Sequence, residues 1–166
     1  MLYQLANHLE KVKLLALDVD GILTDGGLYY TETGQELKKF NVKDGLGIKQ
    51  LIKNGIEVAI ISASSSESTR HRATKLGIRH VFIGCDEKLL VLKDLCQTLQ
   101  IDLSQVAYMG DDLTDLPVLK AVGCPLTVAD AIAENRACAI HVTEKGGGQG
   151  AVRDICDLIL ASIKTH

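Results

Sequence analysis

The sequence predicts an α/β protein built on a doubly wound, Rossmann-like parallel sheet, with one small inserted β-hairpin and no second domain. Three observations carry this. Short apolar runs alternate along the chain with amphipathic, helix-like segments. The apolar runs are nearly continuous rather than alternating, as strands buried on both faces require. Only the segment 27–40 breaks the alternation.

Taken in order, the strand candidates are VKLLALD (12–18), IEVAIIS (56–62), HVFIG (80–84), QVAYMG (105–110), PLTVA (125–129) and CAIHV (138–142). Helix candidates fall near 44–53, 65–76, 86–100, 112–121 and 130–136, with a last one over 150–163. Ser64-x-x-Glu67 reads as a capping box opening the second helix. Gly55, Gly77 and Gly123 stand where helix C-caps would fall. The segment GLYYTETGQELKKF (27–40) has two strand-like halves around Glu32-Thr33-Gly34-Gln35, a hairpin signal. With no repeat, low-complexity stretch or linker, residues 1–166 read as a single domain.

Composition limits the function classes. Apolar residues make up 46% of the 166 positions and charged residues 23%, ordinary for a globular chain of this length. Trp is absent, so Leu, Ile, Val and Ala must fill the core. A net charge of −3 gives no nucleic-acid footprint. Five cysteines without a C-x-x-C pair read as buried small hydrophobes in a reducing compartment. Glu10, Lys11 and Lys13 break any signal-peptide core. No stretch approaches the ~18 apolar residues of a membrane span. The expectation is a soluble cytoplasmic protein.

Hydrophobic strands do not ordinarily end in clusters of acids, yet two of these do. Strand 12–18 ends at Asp18, followed by Val19 and Asp20. Strand 105–110 leads into Asp111 and Asp112, with Asp115 one turn later. Strand 56–62 ends at Ser62, and Lys88 opens the helix after strand 80–84. In an open parallel sheet these positions share the carboxyl edge, where ligands bind. Clustered carboxylates stay ionised together only when a cation neutralises them. Ligands that are all Asp oxygens, without a His or Cys partner, point to a hard ion, most simply Mg²⁺. Ser62 and Lys88 suit a phosphate dianion held on the same metal. Carboxylates, Mg²⁺ and a lysine are the equipment of phosphoryl transfer, and an Asp can attack phosphorus itself.

A bland reading stands beside this one. A D-x-D at a strand end is often a turn or capping device, and Asp111-Asp112 can cap the helix that follows. Two acid pairs, a Ser and a Lys meeting on one edge is a harder coincidence. Asp25, between Thr24 and Gly26-Gly27, reads as a turn residue. There is no EF-hand loop, Walker P-loop or G-x-S-x-G elbow, and the five His residues lack ligand spacing.

The ordered set D-x-D-G-x-x-T-D (18–25), strand-end Ser, Lys and G-D-D-x-x-D (110–115) resembles the haloacid dehalogenase superfamily over nearly the whole chain. The hairpin and the absence of a cap domain resemble its capless branch. DVDGILTDG, KDGLGIKQL (43–51), GDDLTDLP (110–117) and GGGQGAVRD (146–154) resemble the 3-deoxy-D-manno-octulosonate 8-phosphate phosphatases and their sialic-acid-pathway relatives. The resemblance implies that Asp18 is the nucleophile and forms an aspartyl-phosphate. Asp20 would protonate the leaving sugar oxygen and then accept a proton from water. Asp18, the Asp20 carbonyl and Asp111 would hold Mg²⁺, supported by Asp112 and Asp115. Ser62 and Lys88 would bind the phosphoryl group. It also implies a homotetramer joined through the 27–40 hairpins, each site roofed by a neighbour. A two-stranded hairpin is marginal alone, and exposed Leu28, Tyr29, Tyr30 and Leu37 would be unfavourable. The alternative is that the hairpin folds back on its own domain.

The chain departs from that subfamily at recognition positions. Octulosonate enzymes commonly read Gly-Arg after the strand-end Ser, and some nonulosonate relatives Gly-Glu; here stand Ala63-Ser64. Their late loop commonly reads G-G-K-G; here it is Gly147-Gly148-Gln149-Gly150. A sugar acid's carboxylate calls for Arg or Lys. Arg72 is the favoured candidate, with Arg70 and Lys75 reading equally well as a solvated helix face; Gly148 and Gln149 complete the expected substrate contacts. The chain ends at His166, without the longer tail some relatives use to close the site. The expectation is an Mg²⁺-dependent phosphatase of octulosonate 8-phosphate. A nonulosonate 9-phosphate is the rival substrate. A phospho-receiver module or a non-catalytic assembly subunit is the alternative class.

Overall fold

The structure is a computed structural model and describes residues 2–163, so His166 lies outside the described residues. A short helix, α1 (Leu2–Leu9), precedes the first strand, β1 (Leu14–Leu17). The sequence reading did not assign α1; at this length helical periodicity is faint, but Leu5 and Leu9 are buried. The hairpin follows as β2 (Tyr29–Tyr30) and β3 (Glu36–Leu37), antiparallel and separate from the main sheet. Then come α2 (Val42–Lys53), β4 (Glu57–Ile61), α3 (Glu67–Leu76), β5 (His80–Phe82), α4 (Lys88–Leu99) and β6 (Val106–Met109). The chain closes with α5 (Leu116–Leu119), β7 (Cys124–Thr127), α6 (Ala133–Cys138), β8 (His141–Val142) and α7 (Ala151–Ile163).

The main sheet is parallel in the order β5-β4-β1-β6-β7-β8. β1 is fully buried, as its four apolar residues LLAL require. Leu15 and Leu17 join one core layer with Ile48, Leu51 and Ile155 of α2 and α7. Leu14 and Ala16 join the other with Leu92 and Val118 of α4 and α5. The doubly wound fold and inserted hairpin stand as expected, and no cap domain interrupts the described residues.

Local expectations fared unevenly. Gly77 is the left-handed C-cap of α3, and Gly55 follows the α2 cap with positive φ. The Ser64–Glu67 capping box does not form. Ser66 is the N-cap of α3, and the Ser64 amide instead donates to Ser62 Oγ at 3.2 Å. Gly123 does not cap a helix either: α5 ends at Leu119, and the Gly123 amide donates to Leu103 O. The expected 112–121 helix is a 3-10 turn, Leu113–Asp115, leading into four α-helical residues. Asp112 caps that turn through the Leu113 amide, and Asp115 closes it, so side-chain capping competes with regular helix.

Candidate active site

Strand register decides what meets at the carboxyl edge. Leu17 is level with Ile60 on one side and Met109 on the other. The residues just beyond, Asp18, Ser62 and Asp111, therefore share one end. The connection leaves β1 toward β4 and later returns to β6 on its other side, so Asp18 and Asp111 stand at the point where strand order reverses. The ligand crevice of such open sheets lies at that point. A cavity of about 330 Å³ opens at this point, lined among others by Asp18, Asp20, Ser62, Lys88 and Asp111.

Beneath the cavity lies a buried charged network. Lys88, 3% exposed, opens α4 and aims its ammonium inward. Its Nζ lies 3.0 Å from Asp18 Oδ1 and 2.8 Å from Asp115 Oδ1. Tyr108, on β6, donates its hydroxyl to the same Asp115 oxygen at 2.6 Å. The other Asp115 oxygen accepts from the Asp111 and Asp112 amides at 3.0 and 3.2 Å. Both Asp115 oxygens are thus engaged in holding Lys88 and the 111–112 loop.

Charge bookkeeping in this network leaves a deficit. Asp18, Asp111 and Asp115 each bring a carboxylate oxygen within 4.8 Å of the others, while among the described residues Lys88 is the one ammonium paired with them. Burial first, then the Asp115 charge, pushes the Asp18 carboxyl up to about 7 despite the pull of Lys88. Burial, then Asp18, Asp115 and Asp112, pushes Asp111 up to about 7 as well. For Lys88, burial works against the charge, but Asp18 and Asp115 win and hold the ammonium above its ordinary range. The network is thus short of positive charge, and a dication would supply it.

The donors fit such an ion. Asp111 Oδ1 is buried with no hydrogen-bond partner among the described residues. An orphaned buried carboxylate oxygen is unfavourable unless something coordinates it. Gly21 makes room for that carboxylate: a Cβ there would stand 1.9 Å from Asp111 Oδ2, and its φ of +84° is itself glycine territory. Asp18 and Asp111 offer only oxygen, as a hard cation prefers. Asp115 has its oxygens occupied and stands behind them.

The remaining expected residues distribute as follows. Ser62 is buried and lines the cavity. Asp20 lines it too, with one carboxylate oxygen on Lys38. Asp112 reaches the cavity rim. Asp25 is the turn residue expected, accepting from the Gly27 amide at 2.9 Å. The expected substrate contacts stand outside this cavity. Arg72 donates to Asn41 O at 3.1 Å and lies over the Phe40 ring, tied to the start of α2 and away from the cavity lining. Arg70 pairs with Glu67 on the exposed face of α3, and Lys75 is exposed there. The Gly148 amide donates to Ile22 O at 3.0 Å, and a Cβ on Gly147 would strike Gly21 O. The glycine loop therefore braces the 21–25 turn, and neither Gly148 nor the exposed Gln149 lines the cavity.

Sequence reasoning missed Tyr108, Thr24 and Lys38. Tyr108 carried a signal, a lone hydroxyl inside an apolar strand that needs a buried partner. Thr24 Oγ1 accepts from the Gly21 and Gly26 amides and shapes the turn after β1. Lys38 reads as one of two adjacent lysines in a hairpin, and nothing local separates it from Lys39.

Fold and site together define a phosphoryl-transfer hydrolase of the doubly wound class. Residues 86–153 match the haloacid dehalogenase-like hydrolase family. The chain is 46% identical to the 3-deoxy-D-manno-octulosonate 8-phosphate phosphatase of Escherichia coli K12, over 91% of this chain and 80% of that one. It is 48% identical to the Yersinia pestis enzyme of the same name, over 90% of this chain and 80% of that one. The crystal structure of the Moraxella catarrhalis octulosonate 8-phosphate phosphatase with magnesium, phosphate and KDO superposes with a TM-score of 0.97. It is 42% identical and covers 99% of this chain and 95% of that chain. The chain belongs to this family of capless haloacid dehalogenase-like phosphatases. It is a phosphoric monoester hydrolase, and Mg²⁺ is its cofactor.

Proposed function

We propose that the protein hydrolyses 3-deoxy-D-manno-octulosonate 8-phosphate through an aspartyl-phosphate on Asp18, as one phosphatase domain over residues 1–166. The observation that carries the chemistry is the buried Asp18–Lys88–Asp115 network facing a cavity shared with Asp20 and Asp111. Lys88 holds Asp18 Oδ1, leaving Oδ2 to attack phosphorus. As that O–P bond forms, the bond to the sugar oxygen breaks, and Asp20 gives this oxygen its proton. Asp20 then takes a proton from a water that attacks the phosphorus, releasing phosphate and restoring Asp18. Lys88 and the Ser62 hydroxyl hold the phosphoryl oxygens throughout. Asp18, Asp111 and the Asp20 carbonyl hold Mg²⁺, with Asp112 in support; bound there, the ion neutralises these acids and the phosphoryl charge.

The similarity to octulosonate phosphatases supports the substrate. Next to the cavity, sharing Ser64, lies a groove of about 590 Å³ between hairpin and α3, lined by Glu36, Leu37, Ser66, Glu67 and His71 among others. It has room for the sugar, but no Lys or Arg among the described residues lines it. A sugar acid's carboxylate wants a cation. A neighbouring subunit can bring one, and the exposed apolar residues of the hairpin favour a homotetramer assembled there. No helix among the described residues is long and apolar enough to cross a membrane. We place the enzyme in the cytoplasm, in synthesis of the envelope sugar acid.

The test is phosphate release with Mg²⁺ from octulosonate 8-phosphate, nonulosonate 9-phosphates and hexose phosphates, each with and without EDTA. An EDTA-sensitive preference for the octulosonate is expected. A nonulosonate preference overturns the substrate and keeps the mechanism. No turnover of any of them overturns both.

A further inference from the structure

The hairpin reaches into the site through one side chain. Lys38 follows β3, and its side chain is only 1% exposed. Its Nζ lies 2.5 Å from Asp20 Oδ1 and 3.2 Å from Glu36 Oε1. Glu36 Oε2 in turn accepts from the Tyr30 hydroxyl at 3.0 Å, across the hairpin from β3 to β2. A chain of polar contacts, Tyr30–Glu36–Lys38–Asp20, thus runs from the hairpin surface to the cavity. Lys38 itself does not line the cavity.

A lysine this enclosed is not a solvated surface charge. Its desolvation is offset only by good geometry with its two carboxylates. That geometry also constrains Asp20. The Asp20 side chain is 35% exposed, toward the cavity, and Oδ1 is the oxygen the ammonium holds. Oδ2 has no hydrogen-bond partner among the described residues, so it is the oxygen free to exchange a proton with a ligand.

We propose that Lys38 is the positioning residue for Asp20: the hairpin lysine fixes the carboxyl so that Oδ2 meets the leaving oxygen of the sugar. This rests on the reading of Asp20 as the acid and base. In the first step the P–O bond breaks, its electron pair stays on the sugar oxygen, and that oxygen takes the Asp20 proton. Lys38 keeps its own protons in both steps. The hairpin then has a second role beside any in assembly, since Lys38, the brace of the acid, directly follows the exposed Leu37 that ends β3.

Leaving-group dependence tests it. An alkyl sugar phosphate needs its leaving oxygen protonated, whereas p-nitrophenyl phosphate does not. Lys38→Met is expected to lower kcat on the sugar phosphate roughly 10–100-fold, part of what a general acid supplies. On p-nitrophenyl phosphate the loss stays within about 3-fold, and KM for both moves by less than about 3-fold. Asp20→Asn shows the same selectivity more strongly, and Lys38→Met added to it lowers the rate no further. Equal losses on both substrates for Lys38→Met, a KM effect with kcat intact, or an additive loss in the double variant overturns the proposal. If Asp20→Asn itself lacks leaving-group selectivity, the acid reading fails and the proposal with it, a result separable from a failure of Lys38 alone. Should Lys38→Met not fold, adding Glu36→Gln removes one stranded carboxylate and carries the same comparison. Gel filtration of each variant separates this role from assembly.

Discussion

The carboxyl edge and the hairpin break the usual burial rule in opposite directions. At the edge, Asp18, Lys88 and Asp115 are charged and buried. On the hairpin, Leu28, Tyr29, Tyr30 and Leu37 are apolar and each at least half exposed. Ordinary packing does the reverse, because burying an unmatched charge and wetting apolar surface are both unfavourable. Each region is incomplete in the isolated chain. The edge lacks positive charge, which a small ion supplies. The hairpin lacks apolar cover, which the proposed homotetramer would supply. The two kinds of incompleteness respond to different perturbations, and that is how they are told apart.

The largest effect belongs to the edge. Asp18→Asn keeps the shape and removes the nucleophile, so the rate on any phosphate ester falls by at least roughly 10³-fold. The same change removes one of three crowded carboxylates, so the metal-free variant melts no lower than the parent at pH 8. Activity within tenfold of the parent would sink the nucleophile assignment. Gly21→Ala strikes the same place from the turn, because the new methyl collides with Asp111. A loss of Mg²⁺ affinity of about 10-fold or more, read by calorimetry, is expected from a disturbed ligand.

Next comes pH. Asp18 and Asp111 ordinarily titrate at 3.8 and sit at about 7 in the metal-free fold. Between those values the native state binds more protons than the unfolded chain, so stability falls as pH rises. Without metal, unfolding free energy is expected to drop from pH 5 to pH 8 by roughly 3 kcal/mol if one of the two acids takes the proton, and by up to about 5 if both do. Saturating Mg²⁺ flattens that slope, since it binds only the ionised, folded site. A slope identical with and without Mg²⁺ would mean these acids do not face the ion. The hairpin predicts no such linkage. Its perturbation is Leu37→Asp, which is expected to shift the protein to a smaller species on gel filtration while the melting transition of the domain survives. An unchanged elution volume would argue that the hairpin's apolar face is not an interface.

The same contrast governs how much could be read in advance. The edge was legible because strand ends are set by a strong local pattern, and acids after apolar runs are conspicuous. Asp18, Ser62, Lys88 and Asp111 meet in the structure as their strand positions required. What escaped was anything decided by a distant partner. Lys38 and Lys39 are neighbours of one type, yet the first is buried on Asp20 and the second is exposed beside Asp25. Ser64 offered a capping box, but its amide turned to Ser62 instead. Tyr108 looked like another apolar strand residue and proved to brace Asp115.

Arg72 is the sharpest instance, and it yields the smallest effect. On α3 it stood in the right region to meet a sugar carboxylate. In the fold its guanidinium donates to Asn41 O and lies 5.8 Å from the Phe40 ring centroid, a distance suited to cation–π attraction. Asn41 is the N-cap of α2, and its Nδ2 donates to Gly148 O at 3.1 Å. Arg72 therefore ties α3, α2 and the glycine loop together, behind the 21–25 turn. Arg72→Ala is expected to cost about 1–2 kcal/mol of stability, from one hydrogen bond and the ring contact. KM for the sugar phosphate should change by less than about 3-fold, because uniform binding energy is lost only if the side chain touches the substrate. A tenfold rise in KM at unchanged stability would show instead that Arg72 leaves its Asn41 contact and reaches the ligand, in its own subunit or across an interface.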